Sequence, residues 1–262
     1  MRNHALSKWR SGEVSPGGWV SLADLHIVEV MSRMPFDWLC FDLQHGLLSE
    51  KDLLQMLAIA KATSVTPIVR VAGNDAARIG RALDAGAEGV IVPMVETAEE
   101  AAALASACRY PPTGTRSCGP MRDVLHSGPQ YLAQANDQIA AIAMIETQRG
   151  LDNVTAIAGT PGIDALFVGP MDLCFGLGIQ PGAFDDPVFV EALSTIERAG
   201  REAGCAVGIY GYDVARAKDA LAGGYVFASL GTDIGFLRAG AQSAINALGN
   251  GKVAPPHSTA SY

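Results

Sequence analysis

No stretch of this 262-residue sequence approaches the roughly 20 consecutive apolar residues that a membrane span requires. Its start, MRNHALSKWRSGEVS, has no apolar run of the signal-peptide kind. Cysteine is sparse: Cys40, Cys108, Cys118, Cys174 and Cys205 are odd in number, widely spaced, and form no CxxC or zinc pattern. That spacing argues against a disulfide framework and fits a reducing compartment. Positive charge is also short, with 19 Lys and Arg against 27 Asp and Glu and a net charge of −8. No basic cluster is available to follow a phosphate backbone. These absences predict a soluble, cytoplasmic protein with no nucleic-acid or membrane partner. Histidine is scarce too, five in all, so a histidine at a strand end stands out as a proton carrier near neutral pH.

What is present is apolar and regularly spaced. Hydrophobic residues make up 49% of the chain and glycines number 29, which suits one large core with tight turns. Short apolar runs recur at Gly17–Leu22, Trp38–Asp42, Pro67–Val71, Gly89–Pro93, Ile139–Ile145, Ala165–Gly169, Ala206–Tyr210 and Tyr225–Leu230. They are mostly continuous rather than alternating, as parallel strands covered on both faces should be. Helix signals lie between them. Ser49 caps Glu50–Ala62, and Thr97 with Glu100 reads as a capping box for a helix ending near Cys108. Asp186 and Pro187 open a helix that Gly204 closes, and Asp213 opens another that stops at Gly223 and Gly224. Eight strand–helix units in series predict a single α/β domain, a (β/α)8 TIM barrel, over 1–248. An open doubly wound sheet is the structural alternative. Residues 249–262 lack any apolar period and read as a flexible tail. The stretch Tyr110–Asp137 exceeds an ordinary connection and is expected to be a functional or intersubunit loop that helps set substrate choice.

In a barrel, the carboxyl ends of the strands share one mouth. Asp42, Gln44 and His45 follow the second strand, Arg70 ends the third, Glu146 and Gln148 follow the fifth, and Asp172 follows the sixth. Two carboxylates there can hold one hard dication and leave its coordination sphere open to a 2-oxo acid. Arg70 would face the developing oxyanion, His45 would move protons, and the backbone amides of Met171 and Asp172 would meet a carboxylate. Each residue also has a plainer reading. A strand-end acid can be a helix cap, an arginine a structural ion-pair partner, and His45 a turn residue.

The segments FDWLCFDLQHG, PIVRVAGND, RALDAGAEGVIVPMVETAEEA, YPPTGTRS, IETQRGLDNVTAIAGTPGIDALFVGPMDL and ASLGTDIGFLR, in this order and at these spacings, resemble the HpcH/HpaI family of metal-dependent class II pyruvate aldolases. The resemblance implies a divalent metal (Mg2+, Mn2+ or Co2+) on Glu146 and Asp172, Arg70 at the pyruvyl oxygen, and His45 as the base. It implies Asp84 as the acidic partner of His45, and Asp42 as a further acid near that base. It also implies a hexamer, a trimer of dimers with exchanged C-terminal helices. Asp84 sits late in a helix, where a simple barrel puts it far from the mouth, so either the local geometry departs from the ideal unit or a neighbouring subunit supplies it. Gln148, Met171, Asp172, Arg70 and Trp19 are the expected substrate contacts. Two positions depart from the pattern: Gln44 stands where many members have glutamate, and Met144 where relatives often have glutamine. Cys174, where serine is more usual, is expected to pack rather than react.

The expected activity is an aldehyde-lyase that interconverts a 4-hydroxy-2-oxo acid with pyruvate, or a close analogue such as hydroxypyruvate, and an aldehyde. A CoA-thioester lyase would need a basic cleft for the nucleotide, and none is evident. A Schiff-base aldolase would need a strand-end lysine, also absent. A non-catalytic metabolite-binding barrel is the alternative outside enzymes.

Overall fold

A computed structural model of the chain describes residues 3–248; the tail expected at 249–262 lies outside the described residues. Eight strands close a barrel in chain order, every neighbouring pair parallel. They are β1 (Ser15–Val20), β2 (Trp38–Asp42), β3 (Thr66–Arg70), β4 (Gly89–Val92), β5 (Ala140–Ile145), β6 (Ala165–Val168), β7 (Ala206–Tyr210) and β8 (Phe227–Thr232). Around them run α1 (His4–Ser11), α2 (Leu25–Ser32), α3 (Glu50–Ala60), α4 (Ala76–Asp84) and α5 (Ala98–Cys108). There follow α6 (Met121–Ser127), α7 (Tyr131–Gln138), α8 (Gln148–Asp152), α9 (Val154–Ala158) and α10 (Pro170–Gly176). The set ends with α11 (Pro187–Ala203), α12 (Val214–Ala222) and α13 (Asp233–Ala247). Among the described residues no helix is long and apolar enough to cross a membrane.

The continuous apolar runs follow from a strand buried on both sides. Every residue of β2 through β6 is buried. Alternate side chains such as Trp38, Cys40, Ile68, Ile91 and Phe167 fill the barrel interior as one cluster. Their neighbours Leu39, Phe41, Val69, Val90 and Val168 belong to a second cluster under the helices. The interior is rich in aromatic rings, and glycine makes room for them: a Cβ at Gly17 would overlap the Trp38 ring, and one at Gly208 the Phe227 ring.

All eight expected strands are present. Two are displaced by two residues, for local reasons. β1 ends at Val20 because the amides of Ser21 and Leu22 turn to Asp233 Oδ2 (2.9 and 2.8 Å) instead of a neighbouring strand. Tyr225 donates its amide to Ala220 O and so belongs to the turn after α12. The helix caps follow the same pattern, with Ser49 and Asp52 closing a full capping box. At α5 the box is half made: Thr97 accepts from the Glu100 amide, but the Glu100 carboxylate accepts from Glu96 N (2.7 Å).

The stretch Tyr110–Asp137, expected as an irregular loop, is largely helical. It folds into α6 and α7 and joins the lower end of α5 to the start of β5, at the end of the barrel opposite the mouth. Tyr110 and Asn136 exchange two hydrogen bonds (2.7 and 3.1 Å), and Tyr110, Tyr131 and Ala135 form a small core of their own. Within one protomer this stretch is therefore not in a position to select an aldehyde. The same end is closed by α1, whose Trp9 stacks on Phe227 with ring centroids 4.0 Å apart.

Candidate active site

Asp42 and Arg70 are Cα partners in the β2–β3 ladder, which sets their side chains next to each other at the mouth. Arg70 Nε donates to Asp42 Oδ1 at 2.9 Å, and Nη2 donates to Oδ2. Trp19 Nε1 donates to the same Oδ2 (3.2 Å), while the amides of Gln44 and His45 donate to Oδ1 (3.0 and 3.2 Å). Asp42 is thus saturated with donors. Burial alone would raise its carboxyl pKa, but the bonds and charge of Arg70, with the His45 amide, hold it below the ordinary value. A carboxylate so occupied fixes the arginine and the turn carrying His45; it is not free to shuttle protons. The guanidinium also lies 5.0 Å over the Trp19 ring, so Trp19 helps to hold this pair in place.

Glu146 follows the last residue of β5 and is buried, 2% exposed. Its Oε1 accepts the Met94 amide at 2.8 Å. Its Oε2 packs so closely on the Gly169 backbone that a Cβ there would overlap it. Burial raises the Glu146 pKa to about 7; the Met94 hydrogen bond opposes the rise, the charge of Asp172 adds to it and Arg70 opposes it. Asp172, exposed in the first turn of α10, is therefore within electrostatic reach of Glu146. A buried carboxylate facing the charge of a second, exposed one is what a dication relieves, and both offer hard oxygen ligands. The described residues contain no group of three or more His, Cys, Asp or Glu suited to a metal. The residues present fit a two-carboxylate site for one hard cation.

His45 is exposed on the loop after β2, with its amide tied to Asp42 and its ring without a hydrogen-bond partner among the described residues. Met171 and Asp172 stand at the second and third positions of α10, behind Pro170, where backbone amides have no acceptor within the helix. Cys174 is fully buried, and burial pushes its thiol pKa up, so it packs and does not react.

The side chains of two expected site residues are engaged elsewhere. Gln148 opens α8 on an exposed face, and its side-chain amide donates to Asp152 one turn on (2.7 Å). Asp84 closes α4 at the opposite end of the barrel and accepts from Arg116 Nη2 (2.8 Å), so a protomer does not pair it with its own His45. The helix running down from β3 carries it away. Residues not singled out from the sequence also line the mouth. Tyr210 ends β7 and meets Trp19 edge-on at 5.0 Å; the strand-end rule that found Arg70 would have found it. Met94 contributes a backbone amide through a left-handed φ of 56°, for which side-chain chemistry gives no signal.

The sequence profile described as HpcH/HpaI aldolase/citrate lyase matches residues 16–239. A hydroxypyruvate/pyruvate aldolase of Rhizorhabdus wittichii is 36% identical over 244 residues, covering 93% of this chain and 97% of the relative. A 4-hydroxy-2-oxovalerate aldolase of Novosphingobium aromaticivorans is 43% identical over 203 residues, covering 74% and 76%. Among solved structures, an HpcH/HpaI aldolase/citrate lyase family protein from Burkholderia cenocepacia superposes with a TM-score of 0.88 at 34% identity, covering 94% of this chain and 99% of that one.

Proposed function

The chain belongs to the HpcH/HpaI aldolase/citrate lyase family and is an aldehyde-lyase of the aldolase type; from that premise we propose that it interconverts a 4-hydroxy-2-oxo acid with an aldehyde and pyruvate, or a close 2-oxo acid such as hydroxypyruvate. The observation that carries the reading is the buried Glu146 carboxylate, facing the charge of Asp172 beside a guanidinium locked by Asp42. Glu146 and Asp172 would hold a divalent cation, of which Mg2+, Mn2+ and Co2+ are the candidates. When bound, such an ion supplies Lewis-acid polarisation of the keto group and neutralises enolate charge.

The chain's own residues do the rest. The first-turn amides of Met171 and Asp172 orient the carboxylate of the 2-oxo acid. Arg70 presents a fixed positive charge to the oxygen that becomes an oxyanion, and Asp42 with Trp19 keeps it aimed without reorganisation. His45, exposed and unpaired, takes the proton from the 4-hydroxyl in cleavage, directly or through one water, and returns it to the aldehyde in synthesis. The C3–C4 bond breaks, and protonation at C3 completes the donor acid.

A homo-oligomer, specifically a hexamer built as a trimer of dimers, accompanies this reading. Its support is that Leu237 in α13 and Leu248 just past it are 66% and 78% exposed, and that Asp84 can meet a His45 only of another protomer. The five cysteines, all unpaired thiols, suit a cytoplasmic setting.

Deuterium exchange into the methyl group of pyruvate tests the proposal, followed by a panel of aldehydes. Exchange is expected only with Mg2+, Mn2+ or Co2+ present, abolished by EDTA and restored by the ion. His45→Ala should lose turnover while keeping metal affinity. Full exchange after exhaustive chelation would remove the mechanism.

A further inference from the structure

Two residues other than glycine adopt the left-handed backbone conformation among the described residues, Met94 (φ 56°) and Tyr212 (φ 58°). Both lie just beyond strand ends, β4 and β7, at the mouth. Such a conformation is unfavourable for a residue with a Cβ and persists where the surroundings hold it. At Met94 the turn aims a backbone amide at Glu146. At Tyr212 it aims a side chain.

The Tyr212 ring is held from two sides. It stacks on Phe184 with centroids 5.3 Å apart and an interplanar angle of 29°, and it meets Tyr210 edge-on at 4.6 Å and 83°. Tyr210 in turn meets Trp19, which is bonded to Asp42. The ring is thus part of a continuous aromatic wall that ends on the Arg70–Asp42 pair. Tyr212 is half-buried, and its hydroxyl is open to solvent with no hydrogen-bond partner among the described residues. Strand β7 neighbours β6 in the closed barrel, so Tyr212 stands on the Asp172 side of the mouth and away from the His45 side.

We infer that Tyr212 is a substrate-binding residue that donates its phenolic hydrogen to the carboxylate of the 2-oxo acid, beside the amides of Met171 and Asp172. This rests on the aldolase reading above. A neutral donor suits the position: it binds an anion without competing with a dication for Glu146 and Asp172, as a lysine or arginine there would. Its loss should weaken the 2-oxo acid and leave the aldehyde alone.

Pyruvate binding to the Mn2+-loaded protein, followed by calorimetry, compares wild type with Tyr212→Phe, which keeps both ring contacts, and with Tyr212→Leu, which loses them. A bond to a charged group corresponds to a weakening of about tenfold or more. Tyr212→Phe is expected to lose that much pyruvate affinity and to raise KM for pyruvate equally, with kcat within about twofold, and with Mn2+ affinity and aldehyde KM unchanged; Tyr212→Leu should do no better. Unchanged pyruvate affinity in Tyr212→Phe overturns the assignment. So does a loss that falls on the aldehyde KM or on Mn2+ binding. Failure of the wild type itself to bind pyruvate or exchange its methyl protons would instead bring down the aldolase reading, and this assignment with it.

Discussion

On the proposed reading Glu146 carries both a binding task and a stability cost. Its folded pKa of about 7 stands above the ordinary 4.5, chiefly because the carboxyl is buried. In the metal-free protein the folded chain keeps this proton over a range where the unfolded chain has lost it. The contribution to stability is complete below pH 4.5 and is lost as the pH rises through about 7, amounting to about 3 kcal/mol. Urea titrations of metal-free protein at pH 5 and pH 8 should show that fall, and Glu146→Gln should lack it. An equal fall in the variant would assign the effect to other groups. Saturating metal should also suppress it, since an ion binds the charged form. That Glu146 and Asp172 both lie at the mouth was readable from their positions after consecutive buried runs. The raised pKa was not, because it comes chiefly from burial, which residues remote in sequence create.

Among the elements, strands were far more legible than the two pieces that close the lower end of the barrel. A parallel strand buried on both faces needs an unbroken apolar run, and that run is written locally. α1 has no such mark. HALSKWRS is mostly polar, and its three buried residues, Ala5, Leu6 and Trp9, matter only once the barrel's end is open beneath them. Trp9 is 3% exposed and stacked on Phe227. Trp9→Ala should therefore cost about 3–5 kcal/mol, read as a lower urea midpoint. Turnover at saturating metal and substrate should be retained, because the ring lies at the end away from Arg70 and Glu146. A midpoint within about 0.5 kcal/mol of wild type would mean that α1 is not a plug. α6 and α7 were missed for a related reason. The prolines and glycines of YPPTGTRSCGP read as loop, and the core formed by Tyr110, Tyr131 and Ala135 joins residues separated by the whole stretch.

For the whole molecule, α13 is the informative element. It buries little beyond Asp233, whose carboxylate accepts the amides of Ser21 and Leu22 and ties β8 to the loop after β1. Its outer residues Leu237 and Ile245 remain exposed at 66% and 39%. A helix in this state gains most from burial against another copy. Sedimentation velocity should find an assembly larger than a monomer. Leu237→Asp should shift it toward smaller species while leaving the protomer's own fold stable, since an exposed side chain contributes little within one chain. A monomeric wild type would contradict the oligomer and leave Asp84 without access to any His45.

The chain itself carries the barrel and the candidate groups at its mouth. The period of its apolar runs is a local property, and a parallel barrel delivers every strand end to one mouth whatever lies between. That is why Asp42, His45, Arg70, Glu146 and Asp172 could be named without coordinates. Three-dimensional packing alone settled what each of them is free to do. It saturated Asp42 with donors, turned Gln148 outward onto Asp152, carried Asp84 to the far end with Arg116, and stood Tyr212 against Phe184 and Tyr210. Hydrogen-bond partners, burial and charge neighbours are set by residues remote in sequence, and no local pattern encodes them.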